Sequence, residues 1–145
     1  MEAALERWGQ VLPIRRVSDP EAAQVRIFRR RPPLRQGAGG RTRASHGRAV
    51  LQLQAVERLG IWRLEPLVEV GLSPGQRAHA LQATALHELG HAFGLWGHSD
   101  DPADAMAAVP GADPVQELTP RDRATMRWLY DQPTRFGLPV PPPDS

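Results

Sequence analysis

The stretch Ala83-Thr-Ala-Leu-His-Glu-Leu-Gly-His-Ala-Phe93 decides how the chain is read. It is apolar nearly all round, the pattern of a helix buried on every side. Its polar exceptions are Thr84, His87, Glu88 and His91. In a helix, His87 and His91 lie on one face, one turn apart, so their imidazoles can converge on one cation. Glu88 follows His87 directly and can reach a water on that cation without ligating it. Burying these three groups without a partner would cost several kcal/mol. A divalent cation offsets that cost, and the chain contains no lysine to do so. The bland reading is two hydrogen-bonded core histidines beside an arginine-paired glutamate.

The residues that follow extend a zinc-hydrolase pattern, His-Glu-x-x-His. Gly94 stands where a left-handed helix end lets the chain turn sharply. His98 comes next, in Leu95-Trp-Gly-His-Ser99, and Met106 closes Ser99-Asp-Asp-Pro-Ala-Asp-Ala-Met106. This run resembles the metzincin metallopeptidases, most closely the matrixin branch that includes matrix metalloproteinases. The resemblance implies that His87, His91 and His98 ligate one catalytic zinc ion, with Glu88 as general base. It implies that Gly94 makes the turn and that Met106 is the methionine beneath the metal. Leu118 to Tyr130 looks like the family's final helix, with Asp122 where an acidic residue supports the methionine turn. Pro110 would help wall the pocket for the residue after the scissile bond, although the family's tyrosine near that point is missing. Trp96 adjoins the metal loop and is a candidate for lining the cleft.

One departure concerns the third histidine. It comes one residue later than the usual metzincin spacing, because Trp96-Gly97 fills a place where one residue is expected. The Gly-x-x-Gly-His-Ser form is similar to that of bacterial matrixin-like proteins. Gly97 is expected to absorb the extra residue with torsions that only glycine adopts easily. Asp100, Asp101 and Glu117 are the rival third ligands. The two aspartates read as turn residues beside Pro102, and Glu117 sits at a helix entry rather than on a second long helix.

Around this centre the pattern predicts an α+β, zincin-like domain: a small mixed sheet, a buried active-site helix and a C-terminal helix. Residues 2–11 read as a helix with Ala4, Leu5, Trp8 and Val11 on one face, stopped by Pro13. Gln24 to Phe28, Ala49 to Val56 and Ile61 to Leu72 alternate as strands. Pro66 marks an edge or a bulge in the last of these. Residues 31–47 read as a long irregular loop. The central helix is expected from Gln76 to Phe93 with Ser73 as N-cap, and the last from Thr119-Pro120 to Asp131. Trp8, Trp62 and Trp128 read as core anchors, and His46 and His79 as surface residues. Residues 1–135 are expected to form the catalytic domain and residues 136–145 a proline-rich tail, with Pro139 to Ser145 disordered. The family has a strand before its first helix, which the chain starts too late to contain. A truncated start is therefore expected, and a signal or anchor would have gone with it.

The 145 residues suit one domain with one core. The absence of cysteine removes disulfides, cysteine nucleophiles and thiolate metal sites. No apolar run is long enough to cross a membrane, and Met1 to Trp8 lacks the basic and apolar regions of a signal peptide. Location is extracellular or in the cell envelope by resemblance if a signal precedes Met1, and cytoplasmic otherwise. All 18 basic residues are arginine, and the net charge is only +2. Arginines 26, 29, 30, 31, 35, 41, 43 and 48 fall in a stretch without any acid, Ala22 to Val56. The family's calcium and second-zinc sites therefore lack ligands, and a single metal is expected. An anionic partner is possible there, but no aromatic residue other than Phe28 interleaves to stack on bases, so nucleic acid is not favoured. The expected function is zinc-dependent cleavage of a peptide or protein substrate. The alternatives are a catalytically weak zinc-binding relative and an arginine-driven binding module.

Overall fold

The computed structural model describes residues 1–36, 42–43 and 45–143, with the side chains of 35, 36, 42 and 43 left aside. The chain order is α1 (Glu2–Gly9), a 3₁₀ turn (Pro20–Ala22), β1 (Val25–Phe28), β2 (Arg35–Gln36), β3 (Thr42–Arg43), β4 (Gly47–Arg58), β5 (Ile61–Leu72), α2 (Ala78–Ala92) and α3 (Pro120–Tyr130). This is the α+β arrangement expected, with a small mixed sheet. Its strand order is β1-β5-β4, with β1 parallel and β4 antiparallel to β5.

Alternation in β5 puts Val68, Val70 and Leu72 on the face that meets the helices, each at most 3% exposed. Against them pack Leu86 and Leu89 of α2, Ala4 and Trp8 of α1 and Met126 of α3, all fully buried. Each large side chain buried this way contributes roughly 1.5–3 kcal/mol. The Trp8 indole N–H donates to the Leu86 carbonyl at 2.9 Å, which satisfies its one polar atom and fixes α1 across α2.

Four expectations about local structure change. First, β5 is the central strand, not an edge, and its register with β4 runs unbroken from Ile61 to Leu72. Pro66 is tolerated because Val68 N–H bonds the carbonyl of Gln24, just before β1, and Leu64 N–H bonds that of Leu138. The amides on this side of β5 face away from β4, and Pro66, which has none, falls in the gap between those two partners. Second, the proline-rich tail is tied down. Gly137 to Val140 runs antiparallel to the first half of β5, with Gly137 N–H on Leu64 and Val140 N–H on Trp62. Third, α2 starts at Ala78, and Ser73 does not cap it. Gly75 adopts φ +86°, which turns the chain before the helix can begin. Fourth, the segment read as irregular loop contains the short β2–β3 ladder; its residues 37–41 and 44 lie outside the described residues.

The last helix keeps its predicted start. Thr119 and Asp122 form a reciprocal capping box with Pro120 in the first turn. Trp128, expected in the core, is 63% exposed on its outer face.

Candidate metal centre

Helix α2 carries His87, Glu88 and His91, and its end delivers His98. Gly94 has φ +117°. Its N–H bonds the His91 carbonyl and Leu95 N–H bonds the Gly90 carbonyl, both at 2.9 Å. That pair of bonds is a Schellman ending, which needs a left-handed residue at Gly94. The chain thereby reverses and brings His98 back over the helix. One potential ligand nitrogen from each of His87, His91 and His98 lies within 4.8 Å of the other two. Gly97 does not take the left-handed torsions expected of it, and a β-carbon there would meet nothing within 4 Å. The extra residue is accommodated in open space.

The two helical imidazoles are oriented by main-chain carbonyls. His87 Nδ1 is 2.8 Å from the Ala105 carbonyl oxygen and His91 Nδ1 is 2.6 Å from that of Leu95. A carbonyl only accepts, so both Nδ1 atoms carry the proton and both Nε2 atoms present lone pairs. Those Nε2 atoms stand 3.1 Å apart. Two ligands on a tetrahedral zinc at about 2.0–2.1 Å stand about 3.3 Å apart. Burial lowers the His91 pKa to about 4 and also lowers that of His87; the carbonyl bonds oppose this without overcoming it. Neutral imidazoles with tied Nδ1–H groups and converging Nε2 lone pairs are a donor set that can hold a metal ion.

The loop beneath the histidines is held to them. Met106 is 4% exposed, and its sulfur occupies the place where a β-carbon on Gly90 would project. Ser99 N–H bonds the Met106 carbonyl at 2.7 Å, and Ala108 N–H bonds the Ser99 carbonyl at 2.8 Å. The residue after His98 is thus paired with the methionine turn. Asp122, 3% exposed, accepts from the N–H groups of Ala105 and Thr119, each at 2.9 Å. The Ala105 carbonyl that orients His87 is therefore anchored to α3.

Sequence reasoning missed a second buried carboxylate. Asp104, 3% exposed, accepts from Ser99 Oγ, Thr119 Oγ1 and Arg121 Nε, each at 2.6 Å. Burial pushes its carboxyl up, but those three bonds outweigh burial and hold it below the usual range. It lies in a run of aspartates that reads as turn chemistry, so spacing gave no sign of it. Two glycines were also passed over. Gly90 admits the Met106 sulfur. A β-carbon on Gly47 would come within 2.6 Å of Glu88 Cγ and 2.5 Å of Thr84 Cγ2, so Gly47 lets α2 approach β4 closely. Glu88 is 8% exposed there.

The rival third ligands are engaged elsewhere. Glu117 pairs with Arg7 at 2.6 Å, Asp100 is bonded to Arg121, and Asp101 accepts from Ala103 N–H.

The Matrixin (Peptidase_M10) family model matches residues 52–131, more than half of the chain. The chain belongs to the matrixin family. No curated protein and no solved structure matches it. The matched stretch of this matrixin runs from β4 through α3 and includes all three histidines, Met106 and Asp122. Pro110 lies within it and is exposed. Trp96 is 42% exposed, and its ring stacks on His91, centroids 5.6 Å apart and planes within 9°. Of the arginine-rich stretch, Arg26 pairs with Glu21 and Arg30 with Glu69. Arg41 and the side chains of Arg35 and Arg43 lie outside the described residues. No helix among the described residues is long and apolar enough to cross a membrane.

Proposed function

We propose that this matrixin is a zinc-dependent endopeptidase, with His87, His91 and His98 as ligands and Glu88 as general base. The observation that carries the reading is the convergence of three imidazoles whose two helical members already have their Nδ1–H groups tied to carbonyls. When bound, zinc supplies a Lewis acid that acidifies a water and polarises a peptide carbonyl. Three neutral imidazoles leave its full charge for that purpose. Glu88, next to His87 on the same helix, accepts the proton of the attacking water and passes it to the leaving amine. Gly47 holds Glu88 in place by admitting it closely at the start of β4. Among the described residues β4 is an edge strand, so an extended peptide can pair along it and be led to the site. Met106 and Asp122 support the floor, and the exposed Pro110 contributes to the wall of the pocket after the scissile bond.

Glu88→Ala is the test. Peptide turnover should fall at least ~10²–10⁴-fold, the usual worth of a general base, while bound zinc measured by elemental analysis stays stoichiometric. Turnover near that of the parent would refute the role of Glu88, and loss of zinc would make it a ligand. A parent that binds zinc and cleaves no peptide would be a binding relative instead.

A further inference from the structure

We infer that Trp96 is a positioning residue for the metal ligand His91, and that it acts by clamping the imidazole from its outer face. The inference rests on the metal-site reading above but not on hydrolysis. Trp96 lies in the short loop between the Gly94 turn and His98. At 42% exposure, Trp96 contributes to the core only in part. Its indole lies flat on His91, with centroids 5.6 Å apart and planes 9° from parallel. The residue before it supplies the carbonyl that accepts a hydrogen bond from His91 Nδ1–H at 2.6 Å.

Two constraints on one ring therefore come from two adjacent residues. The carbonyl of Leu95 fixes the direction in which Nε2 points, and the indole face restricts rocking of the ring about its plane. Two residues further on, His98 stands edge-on to His91, with centroids 4.9 Å apart. Leu95, Trp96 and His98 thus hold, cover and complement one helical ligand. Leu95 is itself pinned by its N–H on the Gly90 carbonyl at 2.9 Å, and Trp96 N–H bonds the Gly94 carbonyl at 3.1 Å. The clamp is built on the helix end and does not depend on the sheet. His87 is stacked instead by His98, a member of the cluster itself, with 5.2 Å between centroids and planes 18° apart. Trp96 acts on His91 rather than on His87. Groups that orient a ligand in this way are typically worth about 10–100-fold in metal affinity.

The test compares Trp96→Ala and Trp96→Phe with the parent in metal binding, stability, the spectrum of the cobalt-loaded protein and the KM for peptide. Zinc affinity is read by competition with a chromophoric chelator, zinc release by stopped flow into excess chelator, and stability by melting with and without zinc. Trp96→Ala should weaken zinc binding about tenfold or more, mainly through faster release, while the metal-free protein melts as the parent does. Trp96→Phe keeps a flat ring and should recover most of the affinity. A visible spectrum of the cobalt-loaded proteins should show Trp96→Ala perturbed and Trp96→Phe close to the parent. Three outcomes overturn the inference. The first is an Ala variant that binds and releases zinc like the parent. The second is a metal-free Ala variant destabilised as much as the zinc-loaded one, which would mean ordinary packing. The third is a change confined to the KM for peptide, which would make Trp96 a substrate contact. Zinc affinity is readable whether or not the protein cleaves peptides, so the endopeptidase proposal can fail separately.

Discussion

The loop-rich half after α2 and the β4–β5 hairpin are opposites in construction. The hairpin pairs twelve residues with twelve, yet Leu51, Leu53, Leu59 and Ile61 remain exposed along it and at its tip. Residues 94–119 contain no helix and no long strand, yet Asp104, Ala105, Met106 and Ala107 are each at most 6% exposed. In the hairpin, backbone bonds hold backbone. In the loop, side chains supplement a few backbone bonds: Asp122 accepts from the amides of Ala105 and Thr119, and Asp104 accepts from the side chains of Ser99, Thr119 and Arg121. Regular secondary structure is thus a poor measure of how tightly a segment is specified. The two helical imidazoles of the candidate metal centre depend on the irregular half, because its carbonyls aim them.

The sharpest way to break this contrast is at the third ligand. His98→Ala should weaken zinc binding by more than the ~10–100-fold of losing an outer partner, read by chelator competition. Glu117→Ala should leave zinc binding unchanged, since it removes a pair with Arg7 in which the carboxylate is 62% exposed, worth about 0–1 kcal/mol. A reversed pattern would place the third ligand before α3 and dismantle the loop's role.

Met106→Ala measures the packing side of the same loop. Truncating this buried side chain beneath Gly90 should cost ~2–5 kcal/mol in urea unfolding. Leu53→Ala in the hairpin, where the side chain is 57% exposed, should stay within about 0.5 kcal/mol. Equal losses would mean that the hairpin is as tightly specified as the loop.

The smallest effect has the opposite sign. Leu59 has φ +53° and is fully exposed at the hairpin turn, with Gly60 at φ +77° beside it. A left-handed leucine costs about 1–2 kcal/mol, and part of that is returned by glycine's larger entropy loss. Leu59→Gly should therefore raise the urea midpoint by an amount equivalent to up to about 1 kcal/mol. A lower midpoint would show that the leucine is held by something other than the turn.

Several features were legible because they are local. His87 and His91 share a face by helical periodicity, Gly94 signals a left-handed stop, and Thr119-Pro120 announces a cap. The helix limits near Ser73 were misread because Gly75 turns the chain at a point where serine and proline usually begin a helix. Trp128 was misread because hydrophobic size suggests burial, while α3 presents it outward. The tail was read as disordered because proline-rich composition does not show that Gly137 to Val140 meets β5.

The sequence alone determined the make-up of the candidate site: the residue types at 87, 88, 91 and 98, and a buried helix to carry the first three. Those follow from spacing of a few residues, where chain geometry leaves little freedom. Only the tertiary structure decided what orients His87 and what Glu88 packs against. The Ala105 carbonyl on His87, the bond of Asp122 to Ala105, the bond of Asp104 to Thr119 and the close approach of Gly47 to Glu88 join residues between 15 and 41 positions apart. No pattern in the chain marks such partners in advance, because each exists only once the helix, the turn and the sheet are packed together.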